Sequence, residues 1–326
     1  MFRWLNKHFG GSMKDVIKQK LAFVVKYLTG LALLIWILSR INRQQMLDTL
    51  LQITPSTFLI LLALTVLNLV NQYLRWRYLI EQQSADFSHN DLIPSFFAGF
   101  TFRLILPGGH AEISKIFMLP GKKRGKVLAF AIEKFFQTYV KTLLVLGGLP
   151  FIFPQFKWVF WLIVIGLILL YPFLPLLWKL NLFKKFQEKE VNYHPIFFRA
   201  LLHSLGVFVC LILQYYVLLN DTGHIEWSST LLAVIYIWGA GLIPVSVSGL
   251  GVRENIAAYI LPKYGIPAAS AVGLSLLIFF VNALIPALIG IYFIQQRQHH
   301  FKDAKDTFKS VSSKIYNHSK KQNAQK

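Results

Sequence analysis

The sequence has few charged residues, fewer still that are acidic, and almost no cysteine. Only 15% of its 326 residues are charged and 55% are hydrophobic, whereas a typical soluble domain carries about 25% charged residues. This composition excludes an ordinary water-soluble enzyme. The single cysteine, Cys210, excludes a disulfide framework and a cysteine-based metal site within the chain.

The few charges are mostly positive, with 34 Lys and Arg against 14 Asp and Glu. In a soluble protein such an excess would indicate a nucleic-acid partner. In a membrane protein it has another source, because cytoplasmic loops collect Lys and Arg and lie against anionic lipid. We therefore expect membrane phospholipid with an anionic headgroup as the partner, and no nucleic acid.

Long apolar stretches predict an all-α, polytopic membrane bundle. Crossing the hydrocarbon layer takes about 20 apolar residues, and six stretches fit a full span: 21–38, 57–74, 127–149, 158–178, 200–220 and 268–294. The transmembrane domain is therefore expected at 21–296, between a basic N-terminus at 1–20 and a basic tail at 297–326. Residues 1–20 are polar and basic and no small-residue cleavage site follows, so no cleavable signal is expected.

The positions of Lys and Arg predict the orientation. The basic segments 1–20, 115–126, 179–199 and 297–326 belong in the cytoplasm, and 150–157 and 220–229 belong outside. Both termini are then cytoplasmic, which requires an even number of full spans. The remaining apolar pieces, 93–106 and 229–261, are expected to be re-entrant hairpins, although two tilted full spans in place of the second hairpin satisfy the same rule.

Only three acidic residues are expected at membrane depth: Glu112, Glu133 and Glu254. A charge near the bilayer centre costs roughly 2.5 to 3.5 kcal/mol, so each of them needs a cation, a wet cavity or a proton. Lys115 follows Glu112 closely enough to serve as its cation, and Arg253 directly precedes Glu254 and can serve in the same way.

Glu133 belongs to a polar stripe, because Glu133, Gln137 and Lys141 recur at every fourth residue with Lys134 beside them. One interpretation is a paired Glu-Lys ladder that holds helices together. The other is the wall of a hydrophilic cavity in which Lys134 and Lys141 attract a phosphate.

The other two glutamates lie in similar Gly-x-x-Glu segments, Gly109–Glu112 and Gly251–Glu254, each preceded by proline and glycine. If the two hairpins enter from opposite sides, they form the inverted pair of broken helices that transporters place around a central site. Their helix N-termini would then attract an anion. Alternatively, Gly and Pro simply end two interfacial helices. No nucleotide or hydrolase motif is present, and His110 and Glu112 lack a third metal ligand nearby, so we predict neither a cofactor nor a metal.

Three segments resemble the lysylphosphatidylglycerol synthase transmembrane family: Arg103-Leu-Ile-Leu-Pro-Gly-Gly-His-Ala-Glu112, the Glu133-Lys134 pair, and Pro244-Val-Ser-Val-Ser-Gly-Leu-Gly-Val-Arg-Glu254. The resemblance covers about 16–296. It implies a helical membrane domain with re-entrant elements that flips anionic or aminoacylated phospholipid across a bacterial inner membrane. The matching motif positions are Arg103, Gly108, Gly109, Glu112, Glu133, Pro244, Ser248, Gly249, Gly251, Arg253 and Glu254.

The leading hypothesis is therefore a lipid flippase and not an enzyme, since only a basic tail follows Gln296 where the full synthase has its soluble aminoacyl-transfer domain. Arg103, Arg253 and the glycine-rich helix starts would hold the phosphate, and the glutamates would balance cations or accept protons. A separate lipid-modifying enzyme and a second copy of the chain are possible partners. The alternatives are a membrane-embedded transferase acting on a polyprenyl-phosphate or lipid substrate, with Glu112 or Glu254 as general base, and a non-catalytic membrane scaffold. The expected binding residues are the motif positions other than Pro244, together with Lys134 and Lys141.

Overall fold

The computed structural model describes residues 28–105, 111–178, 186–242 and 249–297. Within these ranges the chain is helical and contains no strand, which confirms the all-α prediction. The predicted site residues Gly108, Gly109 and Ser248, the N-terminal segment 1–20 and nearly all of the basic tail lie outside the described residues.

Twelve α-helices are assigned in the described ranges. The first seven are α1 (Leu28–Arg40), α2 (Arg43–Leu51), α3 (Pro55–Gln83), α4 (His89–Ile105), α5 (Arg124–Gly148), α6 (Lys157–Leu170) and α7 (Leu174–Trp178). The others are α8 (Tyr193–Thr222), α9 (Trp227–Gly239), α10 (Val252–Ile260), α11 (Ala268–Phe279) and α12 (Ile285–Gln296). A 3₁₀ helix, Ala111–Met118, lies between α4 and α5, and a π turn, Phe280–Leu284, joins α11 to α12.

Short polar residues fix the starts of several helices. The side chain of Asn42 accepts a hydrogen bond from the N–H of Gln45 at the start of α2, and Asn192 accepts one from His194 at the start of α8. Thr54 caps α3 in the same way, and Pro55 follows as its first residue. These caps satisfy backbone donors that a helix start leaves unpaired, and proline is tolerated at the first position, where its missing N–H costs nothing.

Four described segments are long and apolar enough to cross a membrane: Pro55–Gln83, Pro154–Leu176, Tyr193–Thr222 and Ala268–Gln296. α1 and the segment Trp227–Leu242 are apolar but shorter. α5 is long enough, with 25 residues, but carries Glu133, Lys134 and Lys141. The number of crossings and the two re-entrant hairpins therefore stay predictions.

α3 and α8 form a central antiparallel pair. The N–H of Thr54 donates to Asp221 at 2.8 Å near one end, Gln214 donates to Thr65 at 2.9 Å, and Arg75 donates to Ser204 at 3.0 Å farther along. The expected span ended at 74, but α3 continues to Gln83. It continues because the first charged residue after the apolar stretch, Arg75, is fully buried against α8 and α5.

The helices pack around two hydrophobic cores. One contains Trp76, Phe136 and Phe197 from α3, α5 and α8. The other contains Leu61, Leu218 and Leu274 from α3, α8 and α11. The central pair of helices contributes to both cores.

Candidate functional site

A cavity of about 450 Å³ lies among α3, α4, α5, α8, α9, α10 and the π turn. Four cationic side chains line it: Arg103, Lys134, Lys141 and Arg253. Among the described residues only one carboxylate, that of Glu112, joins them in the lining. The walls are therefore strongly positive, and they combine this charge with apolar and aromatic surface, as ligand pockets do.

All four cations approach an aromatic ring, and the ammonium of Lys134 lies 5.7 Å from the ring centre of Phe130. The guanidinium carbon of Arg103 lies 4.9 Å from the ring centre of Phe100, and that of Arg253 lies 5.0 Å from that of Phe279. The ammonium of Lys141 lies 4.6 Å from the ring centre of Trp238. Such contacts help to hold a cation in place without neutralising it.

Arg103 and Arg253 carry buried N–H donors that no described residue accepts. Nε of Arg103 and both Nε and Nη2 of Arg253 are buried, with no hydrogen-bond partner among the described residues. Nη2 of Arg253 lies 3.8 Å from Oε1 of Glu254, which is an ion pair but too long for a hydrogen bond. Buried donors are normally paired, so these groups point to a ligand that brings acceptor oxygens.

A buried chain of alternating charges supports one wall of the cavity. Arg75 lies 3.2 Å from Oε1 of Glu133, Lys115 lies 2.6 Å from Oε2 of Glu133 and 3.3 Å from Oε1 of Glu112, and Glu112 in turn pairs with Lys134. Lys134 also donates to Gln137 at 2.9 Å. The chain joins α3, α5 and the 3₁₀ helix, so it fixes the position of Lys134 at the cavity.

The start of α10 is a tight backbone turn next to the cavity. Gly249 and Gly251 have φ values of +78° and +82°, a region that side chains other than glycine rarely adopt. A Cβ on Gly251 would also meet the backbone of Gly30 in α1. The fully buried Glu254 accepts the N–H of Gly251 at 2.6 Å, so this donor at the helix start is occupied by the chain itself.

Amide side chains complete the polar part of the cavity. Asn68 donates to Asn282 at 2.9 Å, and Asn282 donates to Gln214 at 2.9 Å, which links α3, the π turn and α8. Asn282 belongs to the π turn, and such turns occur frequently at functional sites. The described residues contain no group of three or more His, Cys, Asp or Glu side chains that could hold a metal ion.

Over residues 22–290 the sequence matches the family described as Lysylphosphatidylglycerol synthase TM region. The chain belongs to this family. The match confirms the resemblance carried by the three motifs, and the matched range includes the whole cavity lining. A search of curated proteins found no match. Together with its long apolar helices, the family makes this chain a multi-pass membrane protein related to lipid handling.

Within this family domain, the predicted site residues that the structure describes fall into two groups. Arg103, Glu112, Lys134, Lys141, Gly249 and Arg253 line the cavity. Glu133, Gly251 and Glu254 do not line it and lie behind its wall, where the two glutamates accept bonds from buried groups. The polar stripe of α5 contributes to both arrangements, because Lys134 and Lys141 face the cavity while Glu133 pairs with cations from other elements.

Sequence reasoning missed Arg75, which supports the wall of the cavity, and Asn282, which lines it. Arg75 was outside the expected span, and Asn282 is one polar residue in a long uncharged stretch. A polar residue inside a membrane helix is a usable signal, because it is costly unless it is paired. By this criterion Asn68 and Asn282 are each expected to have a partner. The hydrogen bond between the two amides could not be predicted, because it depends on how the helices pack.

Proposed function

We propose that this protein is a lipid flippase or lipid transporter that moves an anionic or aminoacylated phospholipid, or a related lipid phosphate, between the leaflets of a bacterial inner membrane. The observation that carries the proposal is the cavity within a bundle of apolar helices, with four cations and one carboxylate in its described lining. Cations at membrane depth are expensive and usually functional.

The headgroup phosphate would bind between the two backbone breaks. Arg103 is near the end of α4 and Arg253 is at the start of α10, yet both line one cavity and both carry unpaired donors. Arginine suits a phosphate because its planar fork can donate two parallel hydrogen bonds. Lys134 and Lys141 add positive charge from α5.

The carboxylates would organise the cations and would not touch the phosphate. Glu112 is paired with two lysines, Lys115 and Lys134, and Glu254 is hydrogen-bonded to the backbone of its own helix start. Because both are engaged, neither is well disposed as the general base that a membrane-embedded transferase needs. The structure therefore favours transport over transfer chemistry.

The expected membrane arrangement is part of this proposal. It has both termini in the cytoplasm, six full spans, and two re-entrant hairpins, at 93–106 and 229–261, that return to the side from which they enter. A lipid-modifying enzyme that acts on the same lipid remains a proposed partner, as does a second copy of the chain.

The test is transport by purified protein in liposomes. Phosphatidylglycerol and phosphatidate, each with a fluorescent acyl chain, are incorporated in both leaflets of separate liposomes, and the fraction protected from an impermeant quencher is followed over time. We expect the wild type to exchange at least one of the two lipids rapidly, and Arg253→Ala to exchange that lipid at least about tenfold more slowly. Arg199→Ala is the matched control, because Arg199 also lies over a ring, 4.7 Å from that of Tyr78, but is exposed and outside the cavity.

Absence of exchange with the wild type in every lipid tried would contradict the proposed function. Equal exchange by wild type and by Arg253→Ala would contradict the site. Retention of the folded state is checked by the elution volume of each variant in detergent.

A further inference from the structure

The charges of the cavity do not cancel. Its described lining holds four positive side chains and one negative side chain, which leaves a formal net charge of +3. The charged residues packed directly behind the lining are Arg75, Lys115, Glu133 and Glu254. They contribute two positive and two negative charges, so they leave the sum unchanged.

The one carboxylate among the described lining residues is already paired. Glu112 pairs with Lys115 and Lys134, so it balances the charge of the α5 wall. Arg103 and Lys141 form no ion pair within the described ranges, and Arg253 has only its 3.8 Å contact with Glu254. Three cations therefore face the cavity with little or no local compensation.

We propose that the cavity binds lipids whose headgroup ends in a phosphomonoester or diphosphate, with two or more negative charges, and discriminates against monoanionic diesters and aminoacylated lipids. This inference rests on the proposed function and narrows its substrate class. It follows from matching the charge of the ligand to the +3 of the walls, since charges interact strongly where water is scarce.

The unpaired donors favour the same class. Arg103 offers Nε, and Arg253 offers Nε and Nη2. The side chain of Lys141 also lines the cavity. A terminal phosphate presents three acceptor oxygens, whereas a phosphodiester presents two that are not bridging. A terminal phosphate therefore offers these donors one more acceptor oxygen than a diester does.

An aminoacylated headgroup fits poorly. Phosphatidylglycerol that carries a lysyl ester has two amines and one phosphate, so its headgroup is positive overall. It would enter a cavity whose lining already carries a net +3, with Glu112 occupied by two lysines. Like charges at close range oppose binding in a site of this kind.

The test compares two lipids that differ by one methyl group. Dioctanoyl phosphatidate and dioctanoyl phosphatidylmethanol share acyl chains and phosphate, but at pH 8 the first is largely dianionic and the second is monoanionic. Their affinities for the full-length protein in a zwitterionic detergent are measured by native mass spectrometry. We expect phosphatidate to bind at least about tenfold more tightly, since one more charge acts inside the cavity. Dioctanoyl lysylphosphatidylglycerol should bind more weakly than either.

The variants test whether the preference arises in the cavity. Lys141→Met removes one unpaired charge and should abolish most of the preference for phosphatidate, and Lys141→Arg should retain it. Lys263→Met is the matched control, because Lys263 is exposed and lies 4.3 Å from the ring centre of Tyr259, as Lys141 lies near Trp238. A preference that survives Lys141→Met overturns the assignment to this cavity.

The remaining outcomes separate this inference from the proposed function. Equal binding of phosphatidate and phosphatidylmethanol, or tightest binding of the lysyl lipid, overturns the charge inference even if the protein flips lipids. Specific binding of phosphatidate without transport of any lipid supports the inference and overturns the flippase. Inorganic phosphate is the last probe: if it displaces phosphatidate at equal concentration, the ligand is free phosphate and the lipid assignment fails.

Discussion

The ammonium of Lys115, on the 3₁₀ helix, lies 2.6 Å from Oε2 of Glu133, on α5, and only 1% and 2% of the two side chains are exposed. Glu133 also pairs with the fully buried Arg75 on α3. Three elements are thus joined by one carboxylate. Removing one member of a buried ion pair leaves a charge without compensation, which costs more than the pair itself contributes.

Glu133→Gln is therefore expected to destabilise the protein by about 3 to 5 kcal/mol. Unfolding in detergent, followed by tryptophan fluorescence, measures the effect. Glu81→Gln is the control, because Glu81 pairs with Arg77 at 2.7 Å but both side chains are partly exposed, and such pairs contribute about 0 to 1 kcal/mol. Similar small effects of both substitutions would show that Glu133 does not hold the helices together.

Gly251 and Gly265 have nearly equal φ values. Alanine substitutions at the two positions therefore distinguish the cost of backbone strain from the cost of close packing. Gly251 has φ +82° and touches α1, whereas Gly265 has φ +85° and nothing within 4 Å of an added Cβ. Gly265→Ala should cost about 1 to 2 kcal/mol from strain alone. Gly251→Ala should cost a further 1 to 3 kcal/mol, approximately, because the methyl group would displace Gly30.

Thermal unfolding of the two variants checks this difference. If Gly251→Ala and Gly265→Ala lower the midpoint equally, α1 does not pack against the turn in the way that the structure describes.

Gly290 on α12 is expected to tolerate alanine poorly, because an added Cβ has no room. An added Cβ would meet the carbonyl oxygen of Phe97 and the hydroxyl of Thr101 on α4, and Thr101 donates to Ala287 at 2.7 Å. Small residues allow helices in membranes to approach this closely. We expect Gly290→Ala to destabilise by about 1 to 3 kcal/mol.

Gly166 is the matched control for Gly290. It lies inside α6 with nothing within 4 Å of an added Cβ, so Gly166→Ala should stabilise the helix by up to about 1 kcal/mol. Opposite shifts of the unfolding midpoint are the expected result, and two shifts of the same sign would count against the tight contact between α4 and α12.

Single cysteines test the expected orientation. In a Cys210→Ala background, Gln155→Cys and Glu226→Cys should react with an impermeant maleimide added to intact cells, since the segments 150–157 and 220–229 are expected outside. Glu190→Cys should react only after permeabilisation. All three positions are exposed, so their accessibility depends on the side of the membrane. Labelling of Glu190→Cys in intact cells would contradict the orientation.

Much of the fold could be predicted from the sequence because apolar stretches at membrane length have few alternatives. The helical class and the family followed from such stretches and from three motifs. The partners of individual charges could not be predicted, because they depend on tertiary packing. Glu133 and Lys134 are adjacent in sequence, yet Glu133 pairs with Arg75 and Lys115 while Lys134 pairs with Glu112.

The cavity shows the same limit. Helical periodicity grouped Glu133, Gln137 and Lys141 in one stripe with Lys134 beside them. In the structure Lys134, Gln137 and Lys141 line the cavity, whereas Glu133 lies behind its wall. Periodicity cannot relate Arg103 to Arg253, because 150 residues of chain separate them. The expectation that both hold one phosphate came from their positions beside the two breaks. Only the packing of α4 and α10 around the central pair of helices makes them neighbours of one cavity.

The π turn at Phe280–Leu284 has a consequence for the two halves of the helix that contains it. One extra residue in a helical turn rotates everything after it by about 100°. α11 packs on α10 and α2, and α12 packs on α4, so the rotation lets one continuous helix present its small residues to partners on different sides. Deleting one residue from this turn would restore an ordinary helix, and it would turn Gly290 away from Thr101 while leaving Ser275 facing Glu254.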